Sequence, residues 1–218
     1  MIQDFDHAKC AIGIFGVGGH GKSTLFKKLL DGEKADYWFY YDHQCEFSAR
    51  FRMESSYDLQ SLSRQTGTGL VCFDPSRLFP GRSGDGFLFF CDFVFDVSGE
   101  VKGRKILVCD EMHKLVFQDD PVELVTVMDL GRRRSLDVFC VAQSPNQLHN
   151  MAQNQFTEIF TFRQANANCT KHLIDVGFDK KELLTLRPGE YLWRNLTTGE
   201  ARRGGKSFKI KSTAKHNF

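Results

Sequence analysis

Short apolar segments that alternate with helical ones predict an α/β domain around a central, mostly parallel sheet. Two further features agree with this class. A glycine-rich junction at residues 16–23 follows the first apolar segment and opens a helical pattern, and two acids, Asp110 and Glu111, close a later apolar segment. Parallel strands need crossover connections, usually helices that cover the sheet, and this gives the alternating order along a chain.

The elements follow in sequence. Residues 9–15 (KCAIGIF) are an apolar strand stopped by Gly16, and a helical pattern occupies 22–31. Residues 36–42 (DYWFYYD) are aromatic and strand-like, and 45–51 reads the same way. Residues 69–74 (GLVCFD) form a buried strand ended by Pro75. Residues 86–98 hold five of the 21 phenylalanines and are apolar nearly all round, so the length of the run, not its period, argues for a buried helix. A strand at 105–109 (KILVC) precedes a helix that starts near Pro121, with Asp119 or Asp120 as its cap. Residues 137–142 (DVFCVA) are a strand, 146–154 a helix and 156–162 (FTEIFTF) a strand. Asp179 is placed to cap a helix over 180–186, and Pro188-Gly189 turns into a hairpin of 190–194 and 200–203. This divides the chain into a domain at 1–200 and a basic tail at 201–218.

Composition bounds the rest. At 218 residues, 41% hydrophobic and 26% charged, the chain can bury a core without disulfides or metals as staples. The formal net charge is +2, yet residues 201–218 hold six Lys/Arg and no acid, which leaves the preceding residues net acidic. Such a tail suits either a polyanion or plain solvation. Seven cysteines occur without a CxxC pair, so neither zinc spacing nor a disulfide framework is expected, and a reducing compartment is. The amino terminus has no apolar core of a signal peptide, and the most apolar stretch, Phe87 to Val97, is too short to span a bilayer and contains Asp92 and Asp96. A soluble, cytoplasmic protein without membrane insertion is expected.

Residues 16–23 spell GVGGHGKS and satisfy GxxxxGK[ST] in full. Gly16, Gly18, Gly19 and Gly21 allow the backbone to wrap with its N–H groups inward, and the helix amino terminus adds a positive dipole. Lys22 reaches the β- and γ-phosphates, the Ser23 hydroxyl ligates Mg²⁺, and Thr24 lies beside the α-phosphate. His20, between the glycines, completes the nucleotide-binding set.

Such a loop requires an acidic partner on a neighbouring strand, and ILVCDE at 106–111 provides one at a strand's carboxyl end. Asp110 is assigned to the Mg²⁺ shell and Glu111 to orienting the attacking water. His113 makes the string DExH but is read as a strand-end residue outside the chemistry. Gln143 ends the strand 137–142, where its amide either senses the terminal phosphate or only caps the strand. Arg132, Arg133 and Arg134 end the preceding helix; they either meet its dipole or supply an arginine finger to a neighbouring subunit.

With these residues in hand, the chain resembles the FtsK/HerA branch of P-loop motor ATPases, and more narrowly the genome-packaging ATPases of tailless icosahedral viruses with an internal membrane. The resemblance covers roughly residues 9–194 and rests on GVGGHGKST, GLVCFDP, KILVCDEMHKL, GRRRSLDVFCVAQSP and NQFTEIFTFRQAN. It implies a three-layer P-loop NTPase fold, with ATP and Mg²⁺ bound at the Walker A and Walker B positions. It also implies a ring, commonly a hexamer, that hydrolyses ATP at subunit interfaces and drives double-stranded DNA through its channel. Gln143 takes the family's sensor position, and Arg163 is a second candidate for the finger. The short chain implies a motor that docks on another component such as a capsid vertex, through the basic tail or elsewhere, in the host cytoplasm or at the virion vertex.

Three rival readings remain. A small-molecule P-loop kinase fits the size and could use Arg132–Arg134 as a phosphate-clamping lid, although Glu111 and Gln143 argue against it. A GTPase switch lacks the N-K-x-D guanine reader, and an ABC-type ATPase lacks an LSGGQ-like signature. Within the motor class, a helicase or a conjugation or secretion ATPase is the alternative.

Overall fold

The structure, a computed structural model, describes residues 11–164 and 167–205. β1 (Ala11–Phe15) is buried at every position and leads through the glycine loop into α1 (Lys22–Gly32). β2 (Tyr37–Tyr41) is followed by two short helices, α2 (Glu46–Phe51) and α3 (Leu59–Thr66), and by β3 (Leu70–Phe73). The phenylalanine-rich segment forms α4 (Ser83–Glu100), and β4 (Lys105–Cys109) follows it. Next come α5 (Val122–Leu130), β5 (Leu136–Ala142), the single turn α6 (Asn150–Gln153) and β6 (Glu158–Thr161). Two helices, α7 (Ala167–Asp175) and α8 (Lys180–Thr185), precede a hairpin of β7 (Tyr191–Asn195) and β8 (Ala201–Gly204).

The eight strands make one sheet in the order β3-β2-β4-β5-β1-β6-β7-β8. The six from β3 to β6 run parallel, and β7 and β8 are antiparallel additions at one edge. All six parallel strands therefore end on one side of the sheet, where an open α/β sheet presents its ligand crevice. β1 has β5 and β6 as its neighbours, with Gly13 beside Cys140 and Ile159. This corrects one expectation, because the acids after β4 arrive from a strand one removed from β1, and β5 takes the adjacent place.

Alternate residues of each strand sort onto two faces. On one, Ile12, Ile14, Ile106 and Val108 pack with Leu25, Phe26 and Leu30 of α1 and Phe47 of α2. On the other, Phe39, Leu107, Val138 and Cys140 meet α3, α4, α5, α7 and α8. Phe87 and Phe90 of α4 are fully buried there, each contributing about 1.5–3 kcal/mol of burial. α4 starts close under the loop after β4: a Cβ at Gly84 would stand 1.9 Å from the Val116 carbonyl.

Three differences from the sequence reading have local causes. Residues 45–51 form α2 and not a strand, because the buried Asp42 carboxylate accepts from the amides of Phe47 (3.0 Å) and Ser48 (2.8 Å) and so starts a helix. Phe47 and Phe51, one helical turn apart, then both pack on Tyr40. Neither Asp119 nor Asp120 caps α5; Pro121 holds the cap position, and Asp120 pairs with His149 at 3.1 Å. The helix expected at 146–154 is split into a 3-10 turn at Pro145–Gln147 and α6. The expected hairpin of 190–194 and 200–203 forms as β7 and β8, in which Arg202 lies over Trp193 at 5.5 Å and Arg203 pairs with Glu190 at 2.8 Å. Residues 206–218, like Cys10, lie outside the described residues.

Asp179 does cap α8, accepting from the Glu182 amide at 2.9 Å. Cys45, Cys72, Cys91, Cys109 and Cys140 are free thiols. No described helix is long and apolar enough to cross a membrane.

Candidate active site

The glycine loop leaves β1 clamped between the ends of its two neighbours. The Gly16 amide donates to the Gln143 carbonyl at 3.0 Å after β5, and the Val17 amide donates to the Arg163 carbonyl at 3.1 Å after β6. A Cβ at Gly16 would stand 2.5 Å from Phe162 Cβ, so packing demands glycine there. Gly18 and Gly19 differ, since a Cβ at either meets nothing within 4 Å. Both are exposed, and nothing inside the chain packs against their Cβ positions. Gly19 (φ 74) and Gly21 (φ 104) take left-handed conformations that turn the chain into α1.

Gly21 is the cap residue of α1 and offers no side-chain acceptor, so the first-turn amides of this 11-residue helix keep their donors for an anion. His20 braces the loop from within: its Nδ1 lies 3.0 Å from the Gly18 carbonyl, and its own carbonyl accepts from the Gly189 amide at 3.0 Å. Lys22 Nζ donates to the Val17 carbonyl at 3.2 Å. Burial lowers the Lys22 pKa, and the charges of Asp110 and Glu111 act against that shift. Ser23 and Thr24 are exposed in the first turn of α1.

The acid pair lies just past the end of β4 on the same side of the sheet. Asp110 Oδ1 accepts from the Glu111 amide at 2.7 Å. Burial raises the Asp110 carboxyl to about 6, helped by the carboxylates of Glu46 and Glu111 and opposed by that amide and by Lys22. Glu46 is a site residue that the sequence did not reveal, because it opens α2, where a strand was expected. Its one signal was the acid two residues after His43-Gln44, at the end of a strand.

These residues fit a divalent cation. A half-buried carboxyl with two further carboxylates near it and Lys22 opposing them carries more negative charge than the chain balances. Among the described residues no three His, Cys, Asp or Glu side chains gather as a metal cage. Mg²⁺ needs only one or two protein groups and completes its shell with phosphate oxygens and water.

Glu111 has a left-handed backbone (φ 52) and pairs with Lys114, three residues on. Burial depresses the His113 pKa, which leaves its ring neutral near pH 7.

Gln143 is exposed at the end of β5 and lines an open cavity of about 370 Å³ with Val17, Gln147, Gln164 and Asn168. The three arginines stand elsewhere. They form a 3-10 turn, Gly131–Arg134, at the start of β5, and seven strand residues separate them from Gln143, roughly 20 Å at the usual rise. None reaches the phosphate loop of its own chain. Arg134 is held inside the chain, donating to the Phe95 carbonyl with its guanidinium 3.6 Å over the Phe95 ring. Arg132 and Arg133 are exposed, as is Arg163, which sits on the phosphate-loop side.

No protein-family model matches the chain, and no curated protein sequence matches it. Solved structures do. The genome packaging NTPase B204 from Sulfolobus turreted icosahedral virus 2, in complex with sulfate, superposes with a TM-score of 0.71 at 14% identity, covering 94% of this chain and 100% of that one. EccC (ATPases 2 and 3) from Thermomonospora curvata superposes at 0.60 and 12% identity, over 93% of this chain and 37% of the other. The conjugation coupling protein TcpA of pCW3 superposes at 0.59 and 14% identity, over 90% and 60%. These structures share one fold with the chain, the α/β P-loop NTPase fold that the sequence resemblance implied.

Proposed function

We propose that this chain is an ATP-hydrolysing translocase that packages double-stranded viral DNA into a capsid, working as a ring whose sites lie between subunits. One observation carries the reading: the open glycine cradle, Lys22, the Asp110–Glu111 pair and Gln143 all lie at the ends of parallel strands on one side of the sheet. The near-complete overlap with a viral packaging NTPase of similar length supports it.

In this reading the loop amides and Lys22 bind the polyphosphate, and Ser23 with Asp110 holds Mg²⁺. The cation supplies charge neutralisation on the phosphate oxygens when bound. Glu111 accepts the proton of the attacking water, and Gln143 positions that water against the terminal phosphate. An arginine from the adjoining subunit, Arg132, Arg133 or Arg163, stabilises the charge that develops. A capsid vertex protein is the docking partner.

The place of the arginines weighs against a kinase. A lid must close over its own chain's phosphates, whereas Arg132–Arg134 stand at the other end of β5. A second motor reading, a conjugation- or secretion-type ATPase, is supported by the overlap with TcpA and EccC. Phosphate release measured with and without duplex DNA tests the proposal. Stimulation by duplex DNA without separation of a forked substrate is expected. Label transferred to a nucleoside or metabolite would overturn the motor, and strand separation would favour a helicase.

A further inference from the structure

Two exposed places on this surface carry apolar side chains beside opposite charges. Among the described residues six large apolar side chains are exposed, and four of them fall in these two places. The first is acidic. Val116, in the loop between β4 and α5, is 76% exposed, and Val122 at the start of α5 is 56% exposed. The Asp120 carboxylate meets His149 at 3.1 Å, and His149 caps α6, so the exposed Met151 joins the same part of the surface. Asp119 is exposed there, with no ion pair among the described residues.

The second is cationic. An open cleft of about 520 Å³ lies between α7 and α8, beyond the end of β6. Ile174, Leu183 and Leu184 give it an apolar wall, and Leu184 is 63% exposed. Arg163, Lys171 and Lys180 also line it, no acid does, and none of the three has an ion pair among the described residues. Apolar surface edged by charge of one sign marks a contact site, and cations without counter-ions select an acidic partner. The loop at 115–122 has that chemistry. The two places share no residue, and β5 and β1 separate β4 from β6 by roughly 14 Å at the usual strand spacing. Contact between unlike, laterally displaced surfaces is heterologous and adds copies head to tail until a ring closes.

We propose that the α7–α8 cleft receives the 115–122 loop of a second copy of this chain. Val116 and Val122 then cover the apolar wall, and Asp119 and Asp120 face Lys171 and Lys180. The inference rests on the ring of the proposed function and names two faces that build it. The seated loop adjoins the phosphate loop, because the Arg163 carbonyl at the cleft accepts from the Val17 amide at 3.1 Å.

The test reverses charge on each face of the full chain. A loop variant carries Asp119→Lys with Asp120→Lys, and a cleft variant carries Lys171→Glu with Lys180→Glu. Assembly is followed by sedimentation with Mg²⁺ and a non-hydrolysable ATP analogue, with and without duplex DNA. Each variant alone should melt as the parent does and dissociate at a concentration at least about 10²-fold higher, since like charges then meet at every contact. An equimolar mixture should regain assemblies of the parent's size, because every contact in an alternating arrangement pairs opposite charges. A mixture that stays dissociated overturns the pairing of these faces. So does equal recovery when the cleft variant is replaced by Lys27→Glu with Lys28→Glu, exposed on α1, for the attraction is then general. A cleft variant that assembles as the parent but loses duplex DNA gives the cleft to nucleic acid and overturns the proposal. A parent that stays monomeric in all conditions overturns the ring and this contact together. A parent that assembles no better than either variant overturns the contact alone.

Discussion

The amide of Gly16 donates to the carbonyl of Gln143 at 3.0 Å, which joins the residue that opens the phosphate loop to the residue that ends β5. The tie runs through backbone atoms, so the Gln143 side chain can be removed without freeing the loop. Gln143→Ala is expected to keep nucleotide affinity and to lower kcat by about 10²-fold, the loss seen when one donor to a developing charge is removed. Fluorescent-nucleotide titration beside steady-state kinetics measures both. A matching loss of affinity would mean that the side chain, and not the backbone, holds the loop.

Lys22 and Glu111 should separate binding from chemistry. Lys22→Ala removes the Lys22 ammonium from the phosphate loop and is expected to weaken nucleotide binding and abolish turnover. Glu111→Gln keeps the shape of the site and is expected to bind ATP without hydrolysing it. Retained ATP, assayed by filter binding and chromatography of the bound nucleotide, distinguishes the two variants.

Much of this was legible in the sequence, for physical reasons. β1, β4 and β5 are buried on both faces, so they read as short, nearly continuous apolar runs, broken by Lys105 at the start of β4 and by Asp137 near the start of β5, as strands of a covered sheet do. The glycine loop was legible because three of its positions, Gly16, Gly19 and Gly21, have positive φ angles that side chains rarely adopt. What escaped depends on distant partners. α2 exists because Asp42 caps it and Tyr40 receives its two phenylalanines, and a window over 45–51 contains neither residue. Glu46 was hidden with it. The position of β5 between β4 and β1 is a fact of sheet order that local pattern does not carry.

The four candidate arginines divide by their surroundings. Arg134 donates to the Phe95 carbonyl, covers the Phe95 ring and lies against Gly99. Arg134→Ala is therefore expected to cost about 1–3 kcal/mol of stability, since it removes a charged hydrogen bond and a cation–π interaction at once; urea denaturation measures the difference. Arg132→Ala, Arg133→Ala and Arg163→Ala should melt as the parent does, because all three side chains are exposed. If one is the finger, its loss lowers turnover on the order of 10³-fold with ATP still bound. Mixing that variant with Lys22→Ala should restore activity, since an intact site then forms between two different subunits. No recovery would place the arginine in its own chain's chemistry, against the roughly 20 Å that β5 puts between Arg132 or Arg133 and Gln143.

Asp110 is expected to weaken the nucleotide-free fold that it serves. Its carboxyl is raised from an ordinary value near 3.8 to about 6, first by burial and then by Glu46 and Glu111. A raised folded-state pKa means that the folded chain holds the proton more tightly than the unfolded one. The resulting stability is complete below about 4 and is lost as pH rises through about 6. Asp110→Asn keeps the shape and removes the charge, so it should stabilise the nucleotide-free protein at pH 8 by at most about 3 kcal/mol. The advantage should vanish by pH 4, where the parent's carboxyl is protonated in the fold. Denaturation of both proteins at pH 4, 6 and 8 without nucleotide or Mg²⁺ measures it. Added Mg²⁺ with a non-hydrolysable triphosphate should reverse the order at pH 8, because the parent then gains the cation that the asparagine binds more weakly. A variant less stable than the parent at pH 8 without Mg²⁺ would show that Asp110 contributes to the fold through its hydrogen bond to the Glu111 amide more than its buried charge costs.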